Sequence, residues 1–164
     1  MNHTKLYLII AAAAVLLLSA AALTFFFMRD TYDYTLIQRF SFSSKGSMRL
    51  NEEEYRLEKT DGKWTAFHSK SSGTGDFEAE TVSFEVNDAD AQKIIAELKA
   101  HRAGRWDGYK KSNKHVKDGT YYYFDAAFSD GRTITAQGYA RRPRGYSEAR
   151  DALIRLFEKH AAEN

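Results

Sequence analysis

Residues 6–28 run for 23 positions without a charged residue, a glycine or a proline. At 1.5 Å per residue such a run makes about 34 Å of helix, enough to cross a hydrocarbon core of about 30 Å with a modest tilt. Past Asp30 the pattern breaks into short alternating runs. Residues 34–43 carry Leu36, Phe40 and Phe42 on one alternating face. Residues 55–60 and 63–68 flank Asp61-Gly62, a pair that tolerates the positive φ of a two-residue hairpin turn. That register gathers Tyr55, Leu57, Trp64, Ala66 and His68 on a predicted core face and leaves Arg56, Glu58, Lys63 and Thr65 on the other. Residues 69–76 are rich in Ser and Gly and read as a flexible loop, after which Val82, Phe84 and Val86 alternate inward.

The period then lengthens. Asn87 fits an N-cap, Asp88 and Asp90 suit a first helical turn, and Ala91, Ile94, Ile95 and Leu98 form an apolar stripe that stops before Gly104. Residues 120–128 and 132–138 predict a second hairpin around Asp130-Gly131. A two-residue turn there sets Asp125 beside Ala127, Ile134 and Ala136, and Tyr122, Phe124 and Phe128 opposite Thr133, Thr135 and Gln137; either face can be the buried one. Ser147 is the expected cap of a last helix with Ala149, Leu153, Leu156 and Phe157 on its apolar side. The expected fold is α+β: a mainly antiparallel sheet built from β-hairpins, packed with two helices and preceded by one N-terminal transmembrane helix.

Two domains follow: a tail and anchor over residues 1–29, and a single extracytoplasmic domain over 30–164. The rival reading of the apolar run is a long signal peptide, with Lys5 as its basic start and Ser19-Ala20-Ala21 as a cleavage-like site that would release a secreted protein near Ala21. The run exceeds the usual h-region of about 7 to 15 residues, which favours an uncleaved anchor. A short tail before one large C-terminal domain predicts a single-pass cell membrane protein with its N-terminus cytoplasmic. Only about five residues then separate the first strand from the bilayer, so the membrane itself is an expected neighbour. The chain has no cysteine, so no disulfide, thiol nucleophile or lipid-modified Cys is available.

Charge divides the domain. Residues 30–98 hold 8 basic and 14 acidic side chains, net −6, and residues 99–164 hold 14 basic and 8 acidic, net +6. Within the second half, Arg102, Arg105, Lys110, Lys111, Lys114 and Lys117 crowd around Trp106 and Tyr109, and Arg141, Arg142 and Arg144 form a second basic loop. Cations beside flat aromatic faces suit an anionic polymer or lipid headgroup, and equally a solvated surface over packed aromatics. Nucleic acid is not an expected partner outside the membrane. Catalytic motifs are missing: there is no HExxH, no GxSxG and no phosphate-cradling loop, and His101 and His115 near Asp107 or Asp118 match no metal-ligand spacing. No metal or other cofactor is expected. His68, on the apolar face opposite Tyr55, fits a hydrogen-bonded core histidine.

From residue 105 the chain reads Trp106-Asp107-Gly108-Tyr109, Lys111-Ser112-Asn113, Val116-Lys117-Asp118-Gly119, a strand ending at Phe128, Asp130-Gly131, Ile134-Thr135-Ala136, Gly138-Tyr139, Pro143 and Tyr146-Ser147. This succession resembles a family of uncharacterised bacterial cell-envelope proteins, many of them lipoproteins or single-span membrane proteins, and the likeness extends over residues 55–157. The resemblance implies an envelope location and brings no activity or catalytic residue with it. The sequence therefore points to a membrane-anchored, non-enzymatic extracytoplasmic module of the bacterial envelope that binds a partner near the membrane surface. That partner is a protein or, as an alternative, an anionic envelope polymer or lipid headgroup held by the basic-aromatic surface 102–117. A hydrolase without a recognisable motif is the second alternative.

Overall fold

A computed structural model describes residues 30–46, 51–72 and 79–163, so the apolar run over 6–28 lies outside the described residues, as do residues 73–76 of the predicted loop; residues 69–72, expected in that loop, instead extend a strand paired to residues 51–54. Residues Tyr32–Asn164 make one compact unit. Among the described residues no helix is long and apolar enough to cross a membrane. The elements run β1 (Ile37–Gly46), β2 (Asn51–Thr60), β3 (Lys63–Ser72), β4 (Glu80–Val86), α1 (Asp88–Ala100), β5 (Tyr109–Ser112), β6 (Thr120–Phe128), β7 (Thr133–Tyr139) and α2 (Tyr146–Glu163). The seven strands form one sheet in the order β4-β3-β2-β1-β6-β7-β5, antiparallel throughout except where β5 lies parallel to β7. The fold is α+β.

Alternation decides which face is covered. Phe40 pairs with Leu57 and Ala126, Phe42 with Tyr55 and Phe124, Leu57 with Ala66, and Phe124 with Ala136. These side chains share one face and are all buried, together with Ala91, Ile94, Ile95 and Leu98 of α1 and Ala149 and Leu153 of α2. A 3-10 turn at Tyr34–Leu36, fixed by Asp33 accepting from the Thr35 amide, precedes β1, so the first strand starts at Ile37 and not at residue 34. Asn87 caps α1 through its side-chain oxygen, which accepts from the Asp90 amide at 2.9 Å.

Asp61 (φ 52°) and Gly62 (φ 82°) both take positive φ and join Thr60 to Lys63 as a two-residue turn, in the register expected. The second hairpin corrects the expectation. Phe128 N–H donates to the Arg132 carbonyl, so three residues, 129–131, form the loop, and Gly131 alone is in the left-handed region. The register shifts by one: Ala126 faces Ile134, Phe124 faces Ala136, and Asp125 pairs with Thr135 on the uncovered face, where it is exposed. Two more expectations give way. Val82 is 49% exposed: on the edge strand β4 the cover of α2 reaches Phe84, which packs on Phe157 and His160, but not Val82 two residues earlier. Ser147 does not cap α2 but lies inside its first turn, where its hydroxyl accepts from Arg142 Nη1 at 2.8 Å.

Candidate functional site: an arginine-lined cleft

The segment between α1 and β5 is a chain of local devices. Arg102 takes a left-handed conformation (φ 53°, ψ 52°) and turns the chain out of α1 into a 3-10 turn, Ala103–Trp106. Trp106 is only 3% exposed; its ring meets Phe42, Phe124 and Tyr146 edge-on or tilted, and its Nε1 donates to the Arg144 carbonyl at 3.0 Å. Asp107 Oδ1 accepts from the Thr135 amide and Oδ2 from the Tyr32 hydroxyl. Gly108 (φ 69°) donates to the Thr135 carbonyl, and β5 begins beside β7. Trp106-Asp107-Gly108-Tyr109 is thus a clasp that fastens a parallel edge strand to the sheet.

A second clasp holds the following loop. The Tyr139 hydroxyl donates to the Lys117 carbonyl at 2.6 Å and accepts from the Gly119 amide at 2.9 Å. Gly138 lies so close under the returning chain that a Cβ there would sit 1.8 Å from the Arg141 carbonyl oxygen. The loop then reaches Gly145 (φ 83°), where a Cβ would meet His101 Cβ at 2.8 Å. Only glycine permits either approach.

These contacts enclose a cleft of about 620 Å³ lined by Ala100, His101, Arg102, Arg105, Trp106, Tyr109, Pro143, Arg144 and Gly145. Three guanidinium side chains come to it from three places: the end of α1, the 3-10 turn and the loop before α2. All three arginines are exposed, and none forms an ion pair or a side-chain hydrogen bond with another described residue. Among the described residues no Asp or Glu lines the cleft. His101 Nε2 faces the Glu97 carboxylate at 3.6 Å from the α1 side.

The eleven residues marked in the sequence divide accordingly. Arg102, Arg105, Trp106, Tyr109 and Arg144 line one cleft. Lys110 and Lys111 lie on the exposed edge strand β5, Lys111 Nζ standing 5.5 Å from the Tyr109 ring centroid. Lys114 and Lys117 belong to the exposed loop after β5, and Arg141 is exposed beside the Gly138 crossing. Arg142 is engaged within the fold: it bonds Ser147 and the Tyr122 hydroxyl and stacks 4.3 Å over the Tyr122 ring. Trp106 is a buried prop and not a stacking platform. The sequence offers His101 only as a metal-ligand candidate without a matching spacing, and Pro143 and Gly145 only as parts of a Pro-Arg-Gly turn ahead of an apolar helix.

The other prominent charged cluster joins β2, β3 and α2. Glu53 accepts from the Tyr55 hydroxyl (3.0 Å), pairs with His68 Nε2 (3.2 Å) and with Arg150 Nη2 (3.3 Å), while His68 stacks on Tyr55 with centroids 4.2 Å apart. Burial alone pushes the Glu53 carboxyl up, but the bonds from Tyr55 and His68 and the charge of Arg150 outweigh it and hold the group below the usual glutamate range. Burial, reinforced by Glu53, pushes the Tyr55 hydroxyl up to about 12. Among the described residues no group of three or more His, Asp or Glu side chains is arranged to hold a metal ion. Compared with known proteins, the chain matches no family model and no curated sequence.

Proposed function

We propose that this chain is a membrane-anchored, non-enzymatic binding module of the bacterial cell envelope, tethered by residues 6–28 with its domain on the extracytoplasmic side, and that its partner is anionic. One observation carries the second half of that reading: Arg102, Arg105 and Arg144 line a single cleft in which no carboxylate among the described residues answers them. Three like charges held beside one cavity repel one another, and an anion entering the cleft relieves that repulsion. Arginine also presents a planar fork of donors matched to phosphate and carboxylate oxygens. Binding is preferred to hydrolysis because the described lining offers neither a Ser, Thr or Cys nucleophile nor a carboxylate to activate a water. The apolar run of residues 6–28 supports the tether, and the resemblance carried by residues 105–147 supports the envelope.

The test is binding of the full chain, reconstituted in neutral nanodiscs, to purified cell-wall sacculi and to anionic vesicles across a salt series. Binding is expected at low salt, to weaken as the Debye length shortens, and to vanish in Arg105→Glu/Arg144→Glu with the melting temperature preserved. Reversal of Lys110, Lys111 and Lys114 is expected to leave most of it intact. Equal binding by the arginine-reversed and parent chains removes the cleft from the account.

A further inference from the structure

We propose that the anion this cleft takes is a phosphomonoester, the terminal phosphate of a small polyol or sugar; the inference rests on the cleft being the ligand site. Arg102, Arg105 and Arg144 bring three permanent positive charges to its walls. A carboxylate or a phosphodiester carries one negative charge and leaves two guanidiniums unanswered. A phosphomonoester carries about −1.5 to −2 near neutral pH and offers three terminal oxygens, enough for forks from more than one arginine. Gly145 lines the cleft and immediately precedes α2, so the positive end of that 18-residue helix adds to the same wall.

The remaining surface argues for an organic group behind the phosphate. A cleft of about 620 Å³ lies within the range of about 300 to 1,000 Å³ that holds small organic ligands, well beyond the needs of a bare phosphate ion. Its lining also includes Ala100, Trp106, Tyr109 and Pro143, apolar or aromatic residues that suit the C–H side of a polyol or sugar. The groove of about 230 Å³ between α1 and α2 has a different chemistry: Asp90 and Glu97 line it alongside Lys93 and Lys159, and both lysines are already paired with Asp90.

Isothermal titration calorimetry of the full chain in non-ionic detergent tests this, with glycerol 3-phosphate and the tricarboxylate tricarballylate as probes. Glycerol 3-phosphate is expected to bind at least about tenfold more tightly than tricarballylate, and Arg105→Ala and Arg144→Ala each to weaken it about tenfold or more, with Lys114→Ala unchanged. The melting temperature of each variant, measured alongside, separates loss of a ligand contact from loss of folding. If tricarballylate binds as tightly or more tightly, the phosphomonoester assignment falls while the anion cleft stands. If neither probe binds, or the arginine variants bind like the parent, the cleft reading falls as well. Repeating the titration in phosphatidylcholine nanodiscs with and without phosphatidic acid identifies the source. Suppression by phosphatidic acid means that a lipid headgroup occupies the cleft, and an unchanged titration means a soluble phosphate ester.

Discussion

Two charged clusters in this domain use the same side-chain types to opposite ends. Around Glu53, one carboxylate answers Arg150, His68 and the Tyr55 hydroxyl, and every member is half-buried or buried. Around the cleft, Arg102, Arg105 and Arg144 are exposed, and among the described residues no carboxylate lines it. A cluster whose charges are mutually satisfied is part of what holds the chain together, since removing one member strands the rest in a partly desolvated site. Unanswered charges contribute nothing of that kind and cost some repulsion, so under the proposed function their effect is to be read on ligand binding and not on stability. The comparison teaches that density of charge alone does not separate a structural cluster from a candidate site; whether the charges are paired within the fold is what differs here.

The largest effect is expected from the backbone that builds the cleft. Gly138→Ala puts a methyl carbon 1.8 Å from the Arg141 carbonyl oxygen, and backbone against backbone offers no flexible end to yield. The loop 141–145 must move off β7, with a stability loss above about 3 kcal/mol, read as a collapse of the denaturant midpoint. A Gly138→Ala chain of parental stability would mean that the loop is not held by this crossing.

Glu53→Ala comes next, at about 1 to 3 kcal/mol, because Arg150, His68 and Tyr55 lose their common acceptor in a site where the Glu53 side chain is 28% exposed. Titration reaches the same contact from the other side. Because the folded Glu53 carboxyl lies below its ordinary value of 4.5, its contribution is fully present above that value and is lost as the pH falls through the lower, folded one. A stability profile between pH 6 and the acid limb, run for the parent and Glu53→Gln, should show a steeper acid loss in the parent. Parallel profiles would mean that Glu53 does not couple to folding.

What the sequence made legible follows the same division between local and distant causes. The Asp61-Gly62 hairpin, the Asn87 cap and the apolar stripe of α1 are each written within a few residues, and the structure has them. The Asp130-Gly131 pair looks the same, yet Asp130 reaches Arg132 through its side chain, accepting from both the amide and Nε, in a loop of three residues rather than two. The register was available elsewhere: the run Tyr122, Phe124, Ala126, Phe128 matches Ile134 and Ala136 only when 126 faces 134. The strand β5 escaped notice because Tyr109–Ser112 is short and lysine-bearing, as protected edges are. In the cleft, Arg102 and Arg105 stood out beside Trp106. Their grouping with Arg144 depends on a bond from the Trp106 indole to a carbonyl 38 positions later and on a glycine against His101, and no local pattern carries such a contact.

The smallest effect on stability sharpens the comparison most. Replacing Arg102, Arg105 or Arg144 by Ala is expected to change the unfolding free energy by no more than about 0.5 kcal/mol, since each side chain is exposed and bonded to no described neighbour. Any change should be towards greater stability, and in Arg105→Ala/Arg144→Ala it should shrink with added salt, because what is removed is repulsion between like charges. Arg142→Ala, from the same basic loop, is the internal control. It gives up its bonds to Ser147 and the Tyr122 hydroxyl and its stacking on the Tyr122 ring, so it should cost about 1 kcal/mol where its neighbour Arg144 costs nothing. Chemical denaturation of the four single variants at two salt concentrations decides it. If Arg144→Ala destabilises the chain as much as Arg142→Ala does, the cleft arginines are structural after all, and the distinction between answered and unanswered charge fails in this protein.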